Sequence, residues 1–316
     1  MVSQGETLIF SFPQSDLNSD SKNKNIPAVI SPPASTSRNV QAEISYYTPP
    51  KDGGPELPIY MKDEKTRVTK NRDNFQPVTI YDVRGSGVEH TLDKSGIQYI
   101  HQQILTKDFD NDAVIKESYY PEITNLLYKV TGATKVHIFQ HVVRKPRTRE
   151  KQTIPAELQR PVRGAHIDQS YSYAPELVKA IFPGPEGECL LRCRFQIINV
   201  WRPIKTIYKD PFAVLDARTV LEEELVPIKV VYPTYQFESV QVRHPSEERK
   251  YGGHSWYYMS QQTPEEVLAF KIFDSKTDGR ARRVPHSSFT DAEFEGCEAR
   301  QSVEVRALVF HEDDVE

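Results

Sequence analysis

His166-Ile167-Asp168 stands near the middle of a chain of 316 residues, followed downstream by a succession of short β-type runs. Residues two apart on a strand point to the same face, so this triplet can turn an imidazole and a carboxylate toward one ion. That donor pair suits a first-row metal that accepts mixed nitrogen and oxygen ligands. An H-x-D triplet is common by chance, so the reading depends on what the rest of the chain supplies.

The missing piece is a third ligand from a distant strand. Downstream, His254 and His286 are the candidates among nine histidines. Their distance to the next arginine separates them. After His254 the next arginine is Arg280, twenty-six residues on, whereas Arg300 comes fourteen residues after His286, with Ser302 beside it. Arg300, Ser302, Glu304 and Arg306 alternate along what reads as the last strand, so they share a face. A guanidinium holds a carboxylate through two parallel hydrogen bonds, and a neighbouring hydroxyl adds a third. The expected metal set is therefore His166, Asp168 and His286, with its open face toward reactants, the arrangement of non-haem Fe(II) oxygenases. Arg300 and Ser302 are the expected anchor for the distal carboxylate of 2-oxoglutarate. Arg306, one step further along the same face, is the second candidate. The competing reading makes either arginine a structural partner of Glu304.

Upstream, the alternating run 78–84 reads as a strand ending at Gly85. Ile123, Leu126, Leu127 and Val130 fall at helical spacing over 120–130, with Pro121 in the first turn and Gly132 as the cap. Strands are expected at 135–144, 192–201, 212–215, 225–232, 251–259, 268–273 and 303–310. Thr263-Pro264-Glu265-Glu266 has the form of a capping box and is expected to open a short helical turn. A helix followed by many short strands fits a mainly β jelly roll or barrel with supporting helices. The absence of repeated βαβ alternation argues against a dinucleotide-binding fold.

Residues 14–40 are rich in Ser, Asn, Asp, Lys and Pro. Such composition cannot bury enough apolar surface to offset ordering entropy, so 1–40 is expected to be a mobile arm and 41–316 a single domain. The net charge of −4 gives no reason to expect nucleic acid as a partner. No apolar run reaches the length of a membrane span. Three cysteines (Cys189, Cys193 and Cys297) without paired C-x-x-C spacing suggest reduced thiols and a cytoplasmic protein. The expected partner is a small molecule, and a homodimer is the assembly allowed for.

Asn199, Trp201 and Arg202 end a long strand and are candidates for the substrate pocket. His254 is a further candidate, although a packed, hydrogen-bonded histidine is the preferred reading there. The basic run 144–151 reads as a solvated loop or a lid that attracts an acidic substrate. No P-loop, G-x-S-x-G or H-E-x-x-H is present, which removes the commonest NTPase, α/β-hydrolase and zincin readings.

Taken in order, Ile44-Ser45-Tyr46-Tyr47, Val83-Arg84-Gly85, His166-Ile167-Asp168, Asn199-Val200-Trp201-Arg202-Pro203, His254-Ser255-Trp256-Tyr257-Tyr258, Thr263-Pro264-Glu265-Glu266, Pro285-His286-Ser287-Ser288-Phe289 and the run Arg300–Phe310 resemble the CmcJ/AsaB-like oxidoreductases. The resemblance covers roughly residues 41–310. It implies a double-stranded β-helix of the jelly-roll, cupin-like kind, with Fe(II), 2-oxoglutarate and O2 as cosubstrate. By the same resemblance a small secondary metabolite is oxidised at a C–H bond, with His166, Asp168 and His286 as iron ligands. Ser255 and Met259 depart from the more usual basic and aromatic residues. Two rival readings remain: a metal-dependent hydrolase using the same three ligands, and a barrel that binds a small molecule without turnover.

Overall fold

A computed structural model describes residues 37–50, 54, 56–63, 66–67, 74–146, 161–246 and 252–315. The first 36 residues of the expected arm, and 147–151 of the basic run, lie outside them. Within the arm's last residues, Arg38 is ion-paired with Asp291 and Glu293, and strand order begins at Val40.

Fifteen strands succeed one another along the described residues: β1 (Val40–Tyr46), β2 (Ile59–Asp63), β3 (Thr66–Arg67), β4 (Asn74–Asp82), β5 (Ile97–His101), β6 (Lys135–Arg144), β7 (His166–Ile167), β8 (Cys193–Pro203), β9 (Phe212–Leu215), β10 (Leu225–Val231), β11 (Gln236–Val242), β12 (Trp256–Tyr258), β13 (Glu266–Asp274), β14 (His286–Ser288) and β15 (Ser302–Val315). Four α-helices, α1 (Asp112–Val114), α2 (Tyr120–Thr131), α3 (Tyr173–Ile181) and α4 (Pro185–Leu190), are set among them, a π-helical stretch at Ile115–Tyr119 joining the first two. The larger sheet runs β1-β4-β12-β9-β14-β7-β11-β10-β2-β3 and the smaller β5-β13-β8-β15-β6. The architecture is mainly β, a jelly-roll double-stranded β-helix with supporting helices.

Period-two alternation decides which side chains meet the site. On β15, Val303, Val305, Ala307 and Val309 join one apolar cluster with Ile123, Leu126 and Leu127 of α2. Leu308 and Phe310 point the other way, into the cluster that also takes Phe212 and Val214 of the larger sheet. Ser302, Glu304 and Arg306 belong to this second parity. β8 alternates likewise, with Ile198 and Val200 toward α2 and Ile197 and Trp201 into the other cluster. Burying each such aliphatic side chain contributes about 1.5–3 kcal/mol. The pairing of β15 with β6 shifts register between Arg306 and Ala307. A bulge there can re-aim a side chain beside a functional site.

Helix α2 starts with Pro in its first turn and ends on Gly132 at φ 67°, a left-handed cap that glycine adopts without a Cβ penalty. The expected helical turn at 263–266 is corrected. Its side-chain bonds do form, the Glu266 carboxylate accepting from Thr263 N and Oγ1 at 2.9 and 3.1 Å. The chain nevertheless turns straight into β13, because Glu266 is already in register with His101 of β5. The expected strand at 251–259 shortens to β12, and Tyr251 lies outside the described residues.

Candidate metal centre and active site

Antiparallel pairing of β7 with β14 puts His286 directly opposite His166, with ring centroids 4.3 Å apart. Each ring donates its Nδ1–H to a carbonyl two residues upstream, His166 to Gly164 at 2.8 Å and His286 to Val284 at 3.3 Å. Those bonds set the tautomer, leaving the Nε2 lone pairs for a metal. Asp168 Oδ1 lies 3.7 Å from Nε2 of His166 and 3.9 Å from Nε2 of His286. One ligand atom from each of the three residues falls within 4.8 Å of the others. Two neutral imidazoles and one carboxylate, converging from adjoining strands, fit a facial Fe(II) site.

The second carboxylate oxygen is held from the smaller sheet. Asn199 Nδ2 donates to Asp168 Oδ2 at 2.7 Å and Arg306 Nη2 at 3.0 Å. Arg306 also bonds Glu304 at 3.1 Å and Gln140 at 2.8 Å. Burial pushes the Asp168 carboxyl up, but Arg306, the two histidines and the Asn199 bond outweigh it and hold it well below the carboxylate range. Burial lowers His166 to about 4, with His286 adding to the shift, and lowers His286 as well. Both rings are thus neutral at physiological pH, the form that ligates metal. Glu304 moves the other way, raised by burial against the pull of Arg306.

Trp201, Phe212, Ser288, Arg300, Ser302 and Arg144 line one cavity with His166 and His286. Trp201 and Phe212 stack with centroids 5.0 Å apart and planes 13° from parallel, and the Arg300 guanidinium lies 5.5 Å from the Trp201 ring. Arg300 is 7% exposed. Its Nη1 bonds the Asp210 carbonyl at 2.9 Å and Ser288 Oγ at 2.7 Å, while Nε has no partner. Among the described residues no carboxylate forms an ion pair with it. Burial, reinforced by Arg144, lowers Arg300 to about 9. A buried guanidinium without an acid is a ready site for a carboxylate ligand.

Of the pocket candidates, Arg202 is corrected, and His254 is packed and hydrogen-bonded, the reading preferred for it. Arg202 is fully buried on the α2 side of β8, ion-paired with Glu122 at 2.5 Å and bonded to Gln102. Three positions from Asn199, it faces the opposite side of the sheet. His254 stacks on Tyr46 and bonds its hydroxyl at 3.1 Å and Glu224 at 3.0 Å. It does not line the cavity. Asn199 reaches the Asp168 carboxylate, and Trp201 walls the cavity. Ser255 and Met259 do not line it either; Met259 packs in the core. Sequence reasoning missed Ser288, Phe212 and the inward-facing Arg144. Ser288 was within reach, since it lies two residues beyond His286 on the same strand face. Phe212 was not, because only the pairing of β9 with β14 sets it opposite Ser288.

A family model described as an oxidoreductase/YMDC permease-like domain matches residues 44–310. The hydroxylase/desaturase efuI of Hormonema carpetanum is 35% identical over 291 residues, covering 88% of this chain and 97% of its own. The alpha-ketoglutarate-dependent dioxygenase phiK of a fungal species is 32% identical over 279 residues, 85% of this chain and 95% of its own. Among solved structures, the iron and alpha-ketoglutarate-dependent endoperoxidase NvfI superposes with a TM-score of 0.71 at 26% identity, covering 86% of this chain and 98% of that one.

Proposed function

This chain belongs to the oxidoreductase/YMDC permease-like family, and on that premise we propose how its residues divide the work of an Fe(II)- and 2-oxoglutarate-dependent oxygenase acting on a small secondary metabolite. His166, Asp168 and His286 hold the iron. Arg300 and Ser302 take the distal carboxylate of 2-oxoglutarate. The observation that carries this reading is the pair of Nε2 atoms facing Asp168 Oδ1 at 3.7 and 3.9 Å, each ring oriented by a backbone carbonyl.

Bound there, Fe(II) with the keto acid and O2 would supply the oxidation of a C–H bond. The chain supplies position and dryness. Arg306 and Asn199 orient the Asp168 carboxylate so that one oxygen faces the metal. Trp201 and Phe212 keep water from the keto-acid side. Ser288 steers the Arg300 guanidinium. Hydroxylation, desaturation, cyclisation and peroxidation share this framework and differ in where the substrate carbon sits relative to it.

Three free cysteines, two of them exposed, support a cytoplasmic setting, and among the described residues no helix is long and apolar enough to cross a membrane. A homodimer is the assembly to be tested by sedimentation. The chemical test is conversion of 2-oxoglutarate to succinate and CO2 by the iron-loaded protein under O2. Slow succinate formation without an added metabolite, lost in Asp168→Ala, is expected. Iron binding without any keto-acid consumption would favour the hydrolase reading.

A further inference from the structure

We infer that Arg144 is a second cosubstrate-binding residue, and that Arg144 and Arg300 together clamp the distal carboxylate of 2-oxoglutarate. The inference rests on the proposed keto-acid site and adds a residue to it. Arg144 ends β6 and pairs across the strands with Ser302 of β15. Directly opposed residues on neighbouring strands project to the same face with Cβ atoms roughly 5 Å apart. The next inward-facing pair, Val142 opposite Glu304, also lines the cavity that holds Arg144, Ser302, Arg300 and both iron-site histidines. Arg144, opposite Ser302 on β6, and Arg300, two residues before it in the chain, thus line the cavity on either side of Ser302.

Charge makes the same point. The acid that lines this cavity and the one beside it are already engaged: Glu304 by Arg306, and Asp168 by Arg306 and Asn199. Among the described residues no hydrogen bond or ion pair restrains the Arg144 guanidinium, and Arg300 has only neutral acceptors. Burial lowers Arg144, opposed by the field of Glu304, and Arg144 in turn lowers Arg300. Two cations that repel one another in a secluded cavity are relieved by one anion between them. The distal carboxylate of a five-carbon keto acid, chelated by its other end, is an anion of the required kind.

The experiment is a ligand-truncation cycle by calorimetry on anaerobic Fe(II)-loaded protein. It compares 2-oxoglutarate with 2-oxovalerate, which has the same carbon chain without the distal carboxylate. Losing a hydrogen bond to a charged group corresponds to roughly tenfold or more in affinity. Arg144→Gln is expected to weaken 2-oxoglutarate at least tenfold and leave 2-oxovalerate within twofold. Equal losses for both ligands, or no loss for either, would overturn the inference. If Arg144→Gln does not fold, Arg144→Lys decides on the same ratio, because lysine keeps the charge but loses the fork. Wild-type protein that binds neither keto acid would instead sink the keto-acid site itself. Preference for 2-oxoglutarate that is lost in Arg300→Gln and retained in Arg144→Gln would sink only the role of Arg144.

Discussion

Arg306 Nη2 donates to Asp168 Oδ2 at 3.0 Å, so the smaller sheet orients a carboxylate that lies just past the end of β7 in the larger. The bond turns the other oxygen toward the two histidines, and it occupies the arginine that was second candidate for the keto acid. Arg306→Gln is therefore expected to lower iron affinity by about 10–100-fold, the usual effect of losing a group that orients a ligand. At saturating iron its affinity for 2-oxoglutarate should stay near wild type. Metal titration followed by keto-acid titration separates the two, and the reverse pattern would return Arg306 to the anchor role.

Arg300→Ala should do the opposite. Iron affinity is expected to hold, while the 2-oxoglutarate concentration needed for half-maximal turnover rises at least tenfold. Ser302→Ala, which removes a single hydroxyl, should give a smaller rise in the same direction. Steady-state kinetics at fixed iron reads both.

Arg202 is expected to matter for folding and not for chemistry. Removing it as Arg202→Met leaves Glu122 buried without its cation, a loss of about 3–5 kcal/mol. Denaturant unfolding should show that loss, while iron and keto-acid affinities of the folded fraction stay unchanged. An altered keto-acid affinity in folded protein would restore Arg202 to the pocket.

Stability of the metal-free protein should fall on the acid side. Burial lowers His166 to about 4 and His286 in the same direction, against about 6.5 in the unfolded chain. The unfolded state then binds more protons, so this stabilisation is complete above pH 6.5 and is lost as pH falls toward 4. Asp168, held low, acts in the same sense at lower pH. Melting temperatures at pH 5, 6, 7 and 8 should rise to a plateau near neutrality, with a shallower slope in His166→Gln.

Long, regularly alternating elements were legible: β4, β6, β8, β15 and the helix α2 carry their periods over seven or more residues. The grouping of His166, Asp168 and His286 was legible because its spacing is local at 166–168 and its third member precedes an arginine. What escaped depends on distant partners. β7 and β14 are two and three residues long, too short to show a period, and are held between β11 and β9, meeting each other at His166 and His286. Helix α3 was overlooked although Ala174, Leu177, Val178 and Ile181 fall at helical spacing, whereas α4, six residues long, is too short to show a period. Arg202 shows a different failing, since period two alone places it on the other face from Asn199. His254 is held by Tyr46, 208 residues away, a contact that no local pattern announces.

The most direct test is an anaerobic optical titration of the metal-free protein with Fe(II) and then 2-oxoglutarate. A visible metal-to-ligand charge-transfer band that appears on adding the keto acid, and is absent in Asp168→Ala, is the predicted result. Iron bound at His166, Asp168 and His286 with no band on adding 2-oxoglutarate would contradict the account.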